Sequence, residues 1–177
     1  MTIDKYYKEF AEKAHTSTNH FYNEYLPYKF HLEMVNVVFH KFKHLLKDYD
    51  PLYLSIVEAA GWCHDVIEDC RITYNDLAKY HPDGELVADI VFSLTNEKGK
   101  NRHERANYKY YDGIKSTPGA TFIKLCDRIA NVQFGLITHS TMPQMYKKEG
   151  PTFKNWLYDP RYIEMFAELD KLYHEVK

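Results

Sequence analysis

Residues 55–76 read SIVEAAGWCHDVIEDCRITYND, and this stretch decides how the chain is interpreted. If residues 55–69 form one helix at about 100° per residue, four polar side chains lie within about 140° of one another. They are His64, Asp65, Glu68 and Asp69. The apolar side chains fall on the opposite side, at about 200° to 320°, and comprise Ile56, Ala59, Ala60, Cys63, Val66 and Ile67. Three acids beside an imidazole, with no Lys or Arg before Arg71, favour a divalent metal as their counter-charge.

The composition is that of an ordinary globular chain. Its 177 residues are enough for one domain with a buried core. With 23 Lys and Arg against 25 Asp and Glu, the chain has no general attraction for nucleic acid polymers or anionic membranes. The apolar runs are too short to span a membrane, and no signal-peptide core is evident. Three Cys without a CxxC spacing indicate reduced thiols and predict a cytoplasmic location.

Apolar residues recur at intervals of three and four, which predicts an all-α fold, a single helical bundle over residues 1–177. Thr73, with Asp76 three positions later, is typical of a helix N-cap with an acid at N3. Residues 16–27 are predicted to be irregular. Besides the central helix, we expect helices over residues 3–14, 31–46, 73–80, 85–94, 101–115, 120–135, 145–148 and 160–176.

Two further residues are ambiguous on their own. Asp127 lies among apolar residues of the predicted helix 120–135, and burying a carboxylate without a partner is costly. It therefore needs a cap, an ion pair, for example with the adjacent Arg128, or a metal. His31, at the head of the second predicted helix, is equally well explained as a capping or core imidazole. Only the set of His31, His64–Asp65 and Asp127 supports a metal site.

The order of these residues resembles that of the HD superfamily of metal-dependent phosphohydrolases. The likeness extends beyond the His–Asp pair to HDVIED and ITYNDL, and to SLTNEKGKNRHER, STPGATFIKLCDRIANV and, upstream, PYKFH. Over about residues 27–132, the chain is therefore similar to the hydrolase domain of the RelA/SpoT alarmone enzymes and their small, stand-alone metazoan relatives. The resemblance implies an HD-domain helical bundle, with residues 145–176 adding C-terminal helices.

What the resemblance implies is carried over position by position. One Mn²⁺ would be held by His31, His64, Asp65 and Asp127. Glu68 and Asp69 match the catalytic acidic pair. Asn131 matches a contact to the ribose region, and Arg102 a basic side chain near the phosphates. Such enzymes remove the 3′-pyrophosphate from ppGpp or pppGpp.

The chemistry of these side chains agrees with those roles. Two imidazoles and two carboxylates leave open positions on a six-coordinate ion for water, and another divalent transition metal also fits this donor set. Glu68 and Asp69 can orient that water and pass a proton to the leaving oxygen. The basic run of Lys98, Lys100, Arg102 and Arg105 can screen the phosphates. The alternative for this run is a solvated helix face.

The chain also departs from the family pattern. No Lys or Arg occurs between Lys13 and Lys29, where the alarmone hydrolases carry a basic pair beside the guanine. Residues 20–22, His-Phe-Tyr, stand there instead. Leu32 replaces the Pro that follows the first ligand, and the family's Arg and Tyr beyond Asn131 have no clear match. The base specificity, like the oligomeric state, is thus open.

Two alternative functions follow. One is an HD-domain nucleotidase or phosphohydrolase of another nucleotide specificity. The other is a non-catalytic HD domain that binds a nucleotide, and the presence of both Glu68 and Asp69 argues against it.

Overall fold

The computed structural model describes residues 2–176 and confirms the predicted all-α class. Its helices are α1 (Ile3–Ser17), α2 (Lys29–Phe42), α3 (Pro51–Cys63), α4 (Val66–Asp69), α5 (Tyr74–Tyr80), α6 (Gly84–Leu94), α7 (Arg102–Arg105), α8 (Tyr108–Ser116), α9 (Ala120–Ile137), α10 (Met142–Leu157) and α11 (Ile163–Glu175). Two short 3₁₀ turns are Lys43–Leu46 and Pro160–Tyr162. A two-residue hairpin, β1 (Phe21–Tyr22) with β2 (Leu26–Pro27), pairs Phe21 opposite Pro27.

Helix α3 forms the centre of the bundle. Asp50 caps it by accepting hydrogen bonds from the backbone N–H groups of Leu52 and Tyr53, both at 2.9 Å, and Pro51 follows at the first helical position. All residues from Ile56 to Cys63 are buried, and the helix packs against α1, α2, α6 and α9. A helix that is apolar on most of its surface is stable only when it is enclosed in this way.

The expectation of one continuous helix over residues 55–69 is wrong. Helix α3 ends at Cys63, His64 and Asp65 form a turn, and α4 begins at Val66. Asp65 has φ −108° and ψ −2°, in the bridge region that is typical of tight turns. On a continuous helix, His64 and Asp65 would point about 100° apart. The turn removes this restriction and lets both side chains reach one point.

Three other expectations need correction. Residues 16–27, expected to be irregular, contain the end of α1 and the β1–β2 hairpin. The helix expected over residues 101–115 is split into α7 and α8, because Asn107 caps α8 by accepting from the N–H of Tyr110 at 3.3 Å. Helix α10 runs far beyond residues 145–148 and includes Pro151. Its buried face, which packs on α8 and α9, offsets the hydrogen bond lost at the proline.

The capping box at Thr73 and Asp76 is confirmed, with both reciprocal hydrogen bonds present. Cys63, Cys70 and Cys126 are buried thiols without disulfide bonds. Among residues 2–176, no helix has the length and apolar character needed to cross a membrane.

Candidate metal centre

Two helices and one turn converge on a buried cluster of ligand atoms. His31 lies in the first turn of α2, and Asp127 is in the middle of α9. Nε2 of His31 is 3.2 Å from Nε2 of His64 and 3.3 Å from Oδ1 of Asp127. Each of these residues offers one ligand atom, and the three atoms lie within 4.8 Å of one another.

Asp65 completes the set from the turn that follows α3. Its Oδ2 lies 2.9 Å from Nε2 of His64 and 3.7 Å from Nε2 of His31. The structure thus brings His31, His64 and Asp127 to one point and places Asp65 within 4 Å of both imidazoles. These four residues come from three separate parts of the chain.

The hydrogen bonding of His64 fits a metal ligand. Its Nδ1 lies 2.9 Å from the carbonyl oxygen of Gly61. Because a carbonyl oxygen only accepts, Nδ1 carries the proton, and a neutral ring then directs the lone pair of Nε2 at the cluster. Burial lowers the pKa of His64, but the carboxylates of Asp65 and Asp127 outweigh burial and raise it to about 9. A divalent cation supplies the positive charge that these buried groups otherwise draw from a proton, so the donor set fits such an ion.

The carboxylate of Asp127 is held on both of its oxygens. Nζ of Lys124 lies 3.1 Å from Oδ2, and the side-chain amide of Asn131 donates to Oδ1. Burial raises the pKa of Asp127, but Lys124 and His31 dominate and hold it well below its usual range. The suggested pairing with Arg128 is wrong, because adjacent residues on a helix point in different directions. Lys124 was missed, although its i,i+3 spacing from Asp127 is visible in the sequence.

Aromatic residues of the segment before α2 cover the cluster. The hydroxyl of Tyr28 donates to Oδ2 of Asp65, and its ring stacks on His15 and His20 at centroid distances of 4.1 and 4.2 Å. Tyr22 stacks on His31 at 4.7 Å and donates to Oδ1 of Asn131 at 2.8 Å. Tyr22 of the hairpin and Tyr28, which follows it, thus contact His31 and Asp65 directly, a role that sequence reasoning did not assign.

The acidic pair lies on α4, directly after the ligand turn. Glu68 accepts from the side-chain amide of Asn96 at 2.8 and 2.9 Å. Oδ2 of Asp69 is 3.8 Å from Nδ1 of His20. Partial burial, together with the negative charges of Asp65 and Glu68, raises the pKa of Asp69 to about 7. A carboxyl group with such a pKa can exchange a proton near neutral pH.

A cavity of about 110 Å³ adjoins the cluster, and we call it the basic pocket. Its charged lining residues are Glu68, Arg102, Arg105, Lys124, Arg128 and Glu149. Of the basic run, Arg102 and Arg105 line this cavity, whereas Lys98 and Lys100 do not. Lys124 belongs to both places, because its ammonium group contacts Asp127. Lys124 thus lies between the basic pocket and the candidate metal centre.

A second cavity, of about 180 Å³, opens on the other side of Asn131. Tyr22 and Phe134 line it, with ring centroids 4.9 Å apart. Asn131 thus stands between the ligand cluster and an aromatic-lined cavity, which suits a contact to the nucleoside part of a ligand.

An all-α bundle with two His and two Asp in this chain order is the arrangement that the resemblance to HD-domain proteins implies. No family model matches the chain. The chain is 32% identical over 75 residues, 42% of its length, to guanosine-3′,5′-bis(diphosphate) 3′-pyrophosphohydrolase MESH1 of Drosophila melanogaster. This match spans 40% of the length of that relative.

The structural likeness is more extensive. The chain superimposes with a TM-score of 0.73 on a solved protein described as a metazoan ortholog of SpoT that hydrolyses ppGpp and plays a role in starvation responses. The sequence identity is 19%, and the superposition covers 99% of this chain and 96% of the other. The two comparisons confirm the resemblance to the HD-domain, SpoT-like hydrolase family and its fold.

Proposed function

We propose that the chain is a metal-dependent hydrolase that removes pyrophosphate from the 3′ position of ppGpp, pppGpp or a closely related nucleotide. The position of Lys124 between the ligand cluster and the basic pocket carries this proposal. Lys124 lines the pocket and contacts Asp127 at 3.1 Å, and Glu68 lines the pocket from α4. A phosphate held by the basic pocket would therefore lie one residue away from the ligand cluster. The names of the two similar proteins support the same reaction.

The proposed metal is Mn²⁺, held by His31, His64, Asp65 and Asp127. Two imidazole nitrogens and two carboxylate oxygens suit Mn²⁺, and they also suit other divalent transition metals. When bound, the ion would polarise a phosphoryl oxygen and lower the pKa of an attacking water.

The remaining steps are assigned to side chains of the chain itself. Glu68, oriented by Asn96, would align the attacking water, and Asp69 would exchange a proton with the leaving oxygen. Arg102 and Arg105 would hold phosphate oxygens, and Asn131 would contact the ribose region.

A second candidate is an HD-domain phosphohydrolase of another nucleotide specificity. The segment from residue 14 to residue 28 contains no Lys or Arg, and Tyr22, which lines the aromatic cavity, stands in the part of the sequence where the alarmone hydrolases carry their basic pair. The partner would still be a small phosphorylated nucleotide, and the three thiols support a cytoplasmic location.

Turnover of the purified protein with Mn²⁺ tests both candidates. The substrates are ppGpp, pppGpp, ppApp and common nucleoside triphosphates, and the products are separated by ion-exchange chromatography. The proposal expects pyrophosphate from a 3′-diphosphate, and loss of turnover in His64→Ala. Release from other nucleotides alone would favour the second candidate. Nucleotide binding without any product would indicate the non-catalytic alternative.

A further inference from the structure

A carboxylate from the C-terminal part of the chain occupies the basic pocket. Glu149 of α10 accepts from Nε of Arg102 at 2.6 Å and from its Nη2 at 3.2 Å, so the pair is bidentate. The same carboxylate lies 3.3 Å from Nη2 of Arg128. One acidic side chain thus engages two of the four cations that line the pocket.

These contacts use the donors that an anionic ligand would need. A guanidinium group binds a carboxylate and a phosphate with the same two-pronged geometry. Glu149 therefore stands where a phosphate group would stand, and a ligand must displace or share it. Desolvation raises the pKa of Glu149, but its hydrogen bond to Arg102 and the charge of Arg128 outweigh this and lower it, so the carboxylate stays charged.

Arg128 cannot easily move away from this arrangement. Its guanidinium lies 4.3 Å from the ring centroids of both Tyr146 and Phe153, and the residue is only 4% exposed. Nη1 of Arg128 is buried and has no hydrogen-bond partner among residues 2–176. The guanidinium thus retains donor capacity while its position is fixed by the two rings.

We propose that Glu149 is a specificity-determining residue of the basic pocket: its carboxylate competes with the anionic group of the ligand for Arg102 and Arg128. Binding of a highly charged group such as pyrophosphate is weakened more than binding of a smaller, less charged phosphate. The relevance to catalysis rests on the proposed function, whereas the competition for the two arginines does not.

The charges of the pocket give the direction of this effect. Lys124 is already engaged by Asp127, and Glu68 adds a second negative charge to the lining. With Glu149 ionised, the arginines face a carboxylate at contact distance, and an incoming anion is repelled by it. The repulsion between the carboxylate of Glu149 and an anionic ligand increases with the charge of the ligand, and so does the resulting loss of affinity.

Isothermal titration of the purified protein with inorganic pyrophosphate and with orthophosphate tests the inference. In Glu149→Gln, we expect pyrophosphate to bind about tenfold more tightly than in the wild type, and orthophosphate to change by about threefold at most. The matched control is Glu168→Gln, which removes the same charge from an ion pair with Lys41 outside the pocket and leaves both affinities unchanged. In Glu149→Gln combined with Arg102→Ala, the gain in pyrophosphate affinity should disappear, which excludes binding at the ligand cluster as its cause.

The opposite results are informative. Weaker pyrophosphate binding in Glu149→Gln would show that Glu149 orients the arginines for the ligand, and an unchanged affinity would show that it does not compete; either result overturns the inference. If circular dichroism shows that Glu149→Gln is unfolded, Glu149→Asp retracts the carboxylate while keeping its charge. We then expect a smaller increase in pyrophosphate affinity, and a decrease would contradict the inference. If the wild type hydrolyses ppGpp but Glu149→Gln binds pyrophosphate no more tightly, this inference alone is refuted. If Glu149→Gln binds pyrophosphate more tightly but the wild type does not hydrolyse ppGpp, only the proposed function is refuted.

Discussion

Lys124 places its ammonium nitrogen 3.1 Å from Oδ2 of Asp127, while Oδ1 of the same carboxylate lies 3.3 Å from Nε2 of His31. Lys124 and Asp127 are three positions apart on one face of α9. The ammonium group therefore neutralises one side of a largely buried carboxylate and leaves the other side directed at the imidazoles. A neighbour of this kind orients a ligand residue and raises the affinity for the metal.

Replacing Lys124 with Met should therefore weaken metal binding by about 10- to 100-fold, because Asp127 loses the partner that orients it. Competition with a metal-sensitive fluorescent chelator measures the dissociation constant. Lys41→Met, which breaks an exposed ion pair with Glu168, is the control and should bind metal as the wild type does. Wild-type affinity in Lys124→Met would mean that Lys124 serves only the basic pocket.

Asp127→Ala should remove metal and activity together while the helical circular dichroism spectrum is retained. The carboxylate contributes a ligand oxygen, and alanine cannot replace it. Elemental analysis of the purified variant gives the metal content per chain, with the exposed Asp112→Ala as control. Full metal occupancy in Asp127→Ala would show that the ligand assignment is wrong.

Glu68→Gln should separate metal binding from catalysis. The amide oxygen can still accept from Asn96, but the carboxylate that acts on the water is gone. We expect unchanged metal content and turnover slower by about 100-fold or more, the scale of a lost general acid–base group. Steady-state kinetics under saturating Mn²⁺ measures this. An unchanged kcat would leave Glu68 only a hydrogen-bond partner of Asn96.

The stability of the fold should depend on the protonation of His15. This residue is 1% exposed, stacks on Tyr28 and has Nδ1 3.0 Å from Nδ1 of His20. Burial lowers its pKa to about 3, outweighing the opposing charge of Asp65. Since the unfolded chain takes up the proton near pH 6.5, this contribution to stability is complete above pH 6.5 and is lost as the pH falls towards 3.

Chemical denaturation of the wild type and of His15→Phe between pH 7 and pH 4 measures this effect. Phenylalanine keeps the stacking on Tyr28 but cannot take up a proton. The free energy of unfolding of the wild type should fall more steeply with acid, by up to about 1.4 kcal/mol per pH unit for one proton. Parallel curves for the two proteins would mean that His15 is protonated in the folded state.

The helices could be predicted from the sequence because they depend on local pattern, whereas the candidate ligands were expected from the resemblance and remain a proposal. The turn at His64–Asp65 could not be predicted, because no proline or glycine between Trp62 and Asp69 marks the break. That turn is what brings Asp65 to the same point as His64. The approach of His31, the His64–Asp65 pair and Asp127 was expected only through the resemblance, because spacing along the chain does not give distances in space.

The position of Glu149 in the basic pocket could not be predicted from the sequence either, for a different reason. Glu149 lies directly before Gly150 and Pro151, a pair that normally ends a helix. Packing of the apolar face of α10 overrides that signal and places the carboxylate against two arginines from α7 and α9. This contact depends on tertiary packing, so the local sequence does not predict it.

The choice of base is where the chain departs furthest from the pattern it resembles. The β1–β2 hairpin carries no Lys or Arg, and Tyr22 and Phe134 line the cavity beside Asn131. An aromatic surface stacks on any base, whereas hydrogen bonds to base edges are what reject the wrong one. We therefore expect hydrolysis of a 3′-linked pyrophosphate with a preference for guanine over adenine below about tenfold in kcat/KM, or roughly 1.4 kcal/mol. Comparing ppGpp with ppApp under Mn²⁺ measures the preference. A thousandfold preference for guanine would reveal a polar contact that replaces the absent basic pair, and no pyrophosphate from either compound would leave the phosphohydrolase of other specificity as the better assignment.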